Sequence, residues 1–147
     1  MRKFRFALEG IERLRARDVR THEVELAKTR DALAQAERAR EGAASALKLS
    51  VAQAPAGTVV HVRHLLELDA ERRRLTGNLR REEARLEGSS QAVESERGRL
   101  LEARRGARAV EMLRGRRYLE FLQAVHQEEQ KMTDEVAARI VRESRAA

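Results

Sequence analysis

The chain has 147 residues, 37% of them charged and 3% aromatic, with no tryptophan and no cysteine. This usage excludes disulfides and thiolate metal sites, and it suits long helices better than a compact globular core. A formal charge of +7 raises an anionic partner, and no apolar run approaches the roughly 18 residues that a membrane-spanning helix needs.

The opening Met1-Arg2-Lys3-Phe4-Arg5-Phe6 is basic but leads into a charged helix, not into the apolar core of a signal peptide. A cytoplasmic protein is therefore expected. The first helix is predicted over about 4–53. Its apolar seam starts Phe4, Leu8, Ile11, Arg15, Val19, where two successive spacings of four make a stutter. A regular heptad follows through Leu26, Leu33, Arg40 and Leu47, with His22, Thr29, Ala36, Ala43 and Ser50 at the second core position.

Ala54-Pro55-Ala56-Gly57-Thr58 holds the single proline and predicts the one turn, at about 54–58. A second helix is predicted over about 59–144. Its first core position reads Leu65, Arg72, Leu79, Leu86, Val93, Leu100, Ala107, and its second Leu68, Leu75, Glu82, Ser89, Glu96, Ala103. A second stutter leads on to Tyr118, Leu122 and Val125. Glycines 77, 88, 98, 106 and 115 each cost about 1 kcal/mol against alanine and soften this helix without ending it.

The fold class expected is all-α: a single domain over 1–147, built as a long antiparallel two-helix coiled-coil hairpin with an overhanging C-terminal helix. With the turn near Gly57, facing residues have numbers adding to about 115. Ala36 then faces Leu79, Leu33 faces Glu82, His22 faces Val93, and Phe4 sits near Glu111. Residues beyond about 112 have no helix beside them, although they carry Tyr118, Leu119, Phe121, Leu122, Val125, Met132, Val136 and Ile140. Such a stripe invites a partner, a second copy or a fold-back of the first helix.

No catalytic, cofactor or metal constellation is visible, so no enzyme is expected. His61 and His64 stand three apart, with Glu67 as the sole further ligand at suitable spacing. His22 reads as a packing residue and His126 stands alone. No Gly-rich phosphate loop occurs. Two surfaces remain as interaction candidates. The hairpin end carries apolar residues off the seam, namely Leu49, Val51, Val62 and Leu66, with Val59 and Val60 beside the turn. A basic collar is expected where residues 1–20 meet 104–117, and its bland alternative is a solvated, salt-bridged face. Specific nucleic-acid binding is disfavoured because acidic residues interleave almost everywhere, and residues 118–147 hold six acids against four bases.

The opening Phe4-Arg5-Phe6-Ala7-Leu8-Glu9 with Ile11 and Leu14, the length, and the closing Glu129-Gln130-Lys131-Met132-Thr133-Asp134-Glu135-Val136-Ala137 resemble the FliJ family of the bacterial flagellar type III export apparatus, which has injectisome counterparts. Thr133 departs from the family pattern by separating Met132 from the Asp-Glu pair. The resemblance implies a non-enzymatic coiled-coil stalk similar to the γ stalk of rotary ATPases. Its implied partners are the hexameric export ATPase, the cytoplasmic domain of the export gate and, in some members, empty export chaperones. No cofactor and no specific nucleic acid are implied. The membrane is met only indirectly, through the inner-membrane export apparatus. Leu119, Phe121, Leu122, Val125, Met132, Asp134, Glu135, Val136 and Ile140 become the expected ATPase side, and Leu49, Val62 and Leu66 the expected gate side. A basic nucleic-acid-binding coiled coil and a generic coiled-coil chaperone or scaffold are the alternative readings.

Overall fold

Phe4, Phe6 and Leu8 alternate with Arg5 and Ala7, and this two-residue period governs the start of the chain. The structure, a computed structural model, describes residues 3–53 and 61–146. Residues 3–8 are not helical; Phe4, Phe6 and Leu8 are half-buried while Arg5 and Ala7 are exposed. The expected helix from residue 4 is corrected accordingly. A helix would throw side chains 4 and 6 about 200° apart, whereas an extended run aims both the same way.

Helix α1 spans Glu9–Ala52 (44 residues) and α2 spans Val62–Ala146 (85 residues), with no strand among the described residues. Glu9 and Glu12 in the first turn of α1 complement the positive end of its dipole. His61 precedes α2, its carbonyl accepting from the amides of His64 at 2.9 Å and Leu65 at 3.3 Å. The Ala54–Thr58 break, Val59 and Val60 lie outside the described residues. The described residues form two compact units. One is Val19–Glu102; the other joins Met1–Asp18 to Ala103–Ala147.

In Val19–Glu102 the helices run antiparallel along a narrow seam. Leu26, Val93 and Leu100 form its buried apolar cluster, with Val19 and Leu33 packed on it. Ala36, Ala43, Ser50 and Glu96 complete the buried set of this unit. Every one of these residues occupies a heptad core position, so the periodicity located the seam.

The register differs from the sequence expectation by one heptad. Facing residues have numbers adding to about 122, as Ser50 and Arg72 do. His22, expected opposite Val93, instead donates from Nδ1 to Oε1 of Glu96 at 2.5 Å, and Leu33, expected opposite Glu82, joins the Leu26 cluster. A shift of seven residues leaves every apolar side chain on the seam, so hydrophobic patterning alone cannot choose between the two registers. Polar residues choose. The observed register sets Arg40 in place of Leu33 opposite Glu82, while Glu82 itself pairs with Arg85 of its own helix at 3.8 Å. It also brings Arg72 to the end of α1, where no basic side chain occupies the last turn. There Arg72 Nη2 donates to the Ser50 carbonyl at 3.2 Å, satisfying one of the carbonyls that a helix end leaves open. Leu65, expected on the seam, is 46% exposed; its facing position, 57, lies outside the described residues.

Two predictions follow from this seam. Alanine Cβ atoms at Gly77, Gly88 and Gly98 would meet nothing within 4 Å, and none has a positive φ. Each replacement by alanine should add roughly 0.5–1 kcal/mol, so the triple variant should melt several degrees higher when followed by circular dichroism.

The second concerns acid. The hydrogen bond from His22, assisted by Arg99, holds the Glu96 carboxyl below its ordinary value of 4.5, with burial opposing. A depressed carboxyl stabilises the fold above its unfolded value and loses that contribution as pH falls through its folded value. Wild-type stability should therefore decline on acidification below about pH 4.5. Glu96→Gln should flatten that limb in urea titrations across pH 3–6, at the cost of lower stability at neutral pH.

Candidate partner-binding surfaces

The unit that joins Met1–Asp18 to Ala103–Ala147 is organised by aromatic rings. The whole chain contains three phenylalanines and one tyrosine, and all four belong to this unit. The Phe4 ring meets Tyr118 edge-on, with centroids 5.3 Å apart and planes at 76°, and lies 5.6 Å from Phe121 at 51°. Phe6 joins Phe4, Leu8, Leu113, Arg117 and Phe121 in lining a cleft of about 360 Å³. An aromatic pair in such geometry contributes about 0.5–1.5 kcal/mol beyond area burial. Sequence reasoning missed this arm because it read Phe4 and Leu8 as successive seam residues of a helix. The signal was present in the alternation Phe-Arg-Phe-Ala-Leu.

The first turn of α1 then docks through charge. Arg114 Nη1 donates to both carboxylate oxygens of Glu12, at 2.9 and 3.0 Å. This turns Glu12 inward and leaves Ile11, the expected seam residue, 44% exposed. Arg15 lays its side chain across Gly106, 3.7 Å from where a Cβ would stand. Phe4, expected near Glu111, reaches residues 118 and 121 in the same one-heptad correction. Cover on α2 thus extends to Phe121, about nine residues further than expected.

This decides what the C-terminal stretch offers. Phe121 is half-buried against the arm, and Val125 is half-buried as well. Leu119, Leu122, Met132, Val136 and Ile140 are exposed large apolar residues, and Asp134 and Glu135 are exposed too. Thr133 spends its hydroxyl on the Glu129 carbonyl at 2.9 Å. Leu122, Val125, Met132 and Val136 follow spacings of three, seven and four, so they share one side of α2.

The expected gate-side residues belong to the Val19–Glu102 unit. Leu49 is 63% exposed, Val62 71% and Leu66 66%. Val62 and Leu66 are one helical turn apart, and Val51 and Leu65 add to the exposed apolar surface of this unit.

The basic collar is largely matched by acids of the same chain. Besides Arg114 with Glu12, Arg13 pairs with Glu9, Arg15 with Asp18 and Arg117 with Glu120. Arg17, Arg104 and Arg105 are engaged as well. The Arg13 hydrogen bond and charge hold the Glu9 carboxyl below its ordinary value, and Glu9 raises Arg13 in return. His61 and His64 are exposed, and no group of three His, Cys, Asp or Glu among the described residues would hold a metal ion. No described helix is long and apolar enough to cross a membrane.

Two long helices packed along a narrow seam define a class: all-helical coiled-coil proteins. The model of the flagellar FliJ protein family matches residues 4–146, and the chain belongs to that family. It is thereby a component of the flagellar protein export apparatus. No curated protein and no solved structure matches the chain.

The aromatic arm makes a direct prediction. Tyr118 is the single tyrosine and there is no tryptophan, so tyrosine emission reports on this corner alone. Phe4→Ala should leave the helical circular dichroism signal unchanged and make Tyr118 more accessible to acrylamide quenching. Unchanged quenching would mean that Phe4 does not shield it.

Proposed function

We propose that this chain is the non-enzymatic stalk of the flagellar export apparatus. The exposed stripe on α2 enters the hexameric export ATPase and promotes its assembly and turnover, in the manner of a rotary-ATPase γ stalk. One observation carries the reading: past Phe121 a long helical segment carries Leu122, Met132 and Val136 on one side, exposed among the described residues. Leu119 and Ile140 widen that side. Asp134 and Glu135 supply carboxylates for basic residues of the ATPase sleeve. Leu49, Val62 and Leu66 form the contact with the cytoplasmic domain of the export gate, linking gate and ATPase. Empty export chaperones are a further class of partner. The protein works in the cytoplasm, held at the inner membrane through the export apparatus, and its loss impairs flagellum assembly and motility.

Charge forced into an apolar contact tests the ATPase side. The double change of Leu122 and Met132 to Asp touches residues exposed in the free chain, so the helical signal in circular dichroism should persist. Stimulation of ATP turnover by the purified cognate ATPase should fall to the unstimulated rate. A folded double variant that stimulates as well as wild type would remove this surface from the ATPase contact.

A further inference from the structure

We propose that α2 from Leu122 to its end at Ala146 is also a pairing surface for a second copy of this chain, with the two segments antiparallel. The inference stands independently of the stalk reading. Seam positions on this segment are Leu122, Val125, Glu129, Met132, Val136, Arg139 and Glu143, spaced three and four apart in strict alternation. That is a coiled-coil stripe with polar residues inserted at defined layers. It begins one residue beyond Phe121, which lines the cleft with the N-terminal arm, and its Val125 is half-buried.

Charge decides the orientation. A parallel pair would stack Glu129 on Glu129 and Arg139 on Arg139 within the seam. An antiparallel pair that overlaps from residue 122 to residue 146 matches positions whose numbers add to about 268. It sets Glu129 opposite Arg139, Met132 opposite Val136 and Val125 opposite Glu143, with Glu128 beside Arg142 at the seam edge. Pairing of opposite charges selects this register. Shifting by one heptad to a sum near 261 loses the match: Glu129 then faces Met132 and Glu128 approaches Glu135.

Arg139 and Arg142 make no ion pair within the chain among the described residues, and Glu129 has only His126 nearby, at 3.9 Å. Arg139 therefore has a use for a carboxylate that its own chain does not supply. The solution repeats the logic of the Val19–Glu102 seam, where a polar core residue on one helix is met by its complement on the other. The cost falls at the axis, where the two copies bring Glu135 toward Glu135. Pairing and entry into an ATPase sleeve use the same stripe, so each excludes the other.

The test uses the full chain in sedimentation equilibrium. Wild type should show a reversible monomer–dimer equilibrium, with Kd on the order of 10–100 μM for so short a two-stranded contact. Glu129→Arg should weaken it at least about tenfold by setting Arg against Arg, Glu135→Gln should tighten it, and the swap E129R/R139E should restore it. Orientation is read separately, because the chain has no cysteine. A mixture of V125C and E143C chains should form the mixed disulfide under mild oxidation, and either variant alone should not. A strict monomer at all concentrations, a swap that fails to restore pairing, or V125C chains that cross-link to themselves would each overturn the proposal. None of these readouts involves the ATPase, so failure here and failure of the stalk reading remain distinguishable.

Discussion

The constraint on which the rest depends is that a two-helix seam has only two core positions per heptad, so a charged residue buried there is costly unless another side chain answers it. Glu96 is buried to 6% exposure. An unanswered carboxylate at that depth would lose hydration and gain nothing in return. His22 answers it from across the seam and Arg99 from its own helix, through Oε2 at 3.2 Å. Arg72 on the Ser50 carbonyl fixes the register, and the pairing of every other layer in Val19–Glu102 follows from counting in sevens.

The apolar residues supply the attraction and leave its alignment open. Small residues such as Ala36, fully buried, and Ala43 let the backbones approach. Because a small residue recurs at each second core position from Thr29 to Ser50, they would do so in more than one register. A polar contact removes that degeneracy at one end of the paired stretch: Arg72 on the Ser50 carbonyl near the end of α1. Arg72 also shows why arginine is tolerated at a core position. Its stem lies along the seam while its guanidinium finishes a helix that has no basic residue of its own there.

This explains what was legible in the sequence and what was not. Seam membership was, because a side chain's inward or outward direction depends on a local period of three and four. Leu26, Ala36, Ala43, Ser50, Val93, Glu96, Leu100 and Ala103 were all placed by it. The register was not, since a shift of seven residues changes none of those directions. Treating Arg72 as a group to be matched to the open carbonyls at the end of α1, and not as an exception to an apolar pattern, would have found it. The N-terminal boundary failed for a different reason: Phe4, Leu8 and Ile11 fit a helical spacing that the finer alternation of Phe4, Phe6 and Leu8 contradicts. Of the candidate surfaces, the exposed apolar residues were legible as residues without a seam partner. The cover over Phe121 was not, because it depends on the arm.

The arm also carries a consequence for how the molecule is made. Glu12 and Arg114, which tie the start of α1 to α2, are 102 residues apart in sequence, and the rings that receive Phe4 lie later still. A ribosome adds roughly 5–20 residues per second, so Phe4, Phe6 and Leu8 wait several seconds for their seat to be synthesised. During that interval Phe4, Phe6 and Leu8 stand in water on the nascent chain. They form a short apolar tag that disappears only when residue 121 has left the exit tunnel. Seating of the arm thus waits on residues 118 and 121, and a chain truncated before that aromatic corner cannot make it.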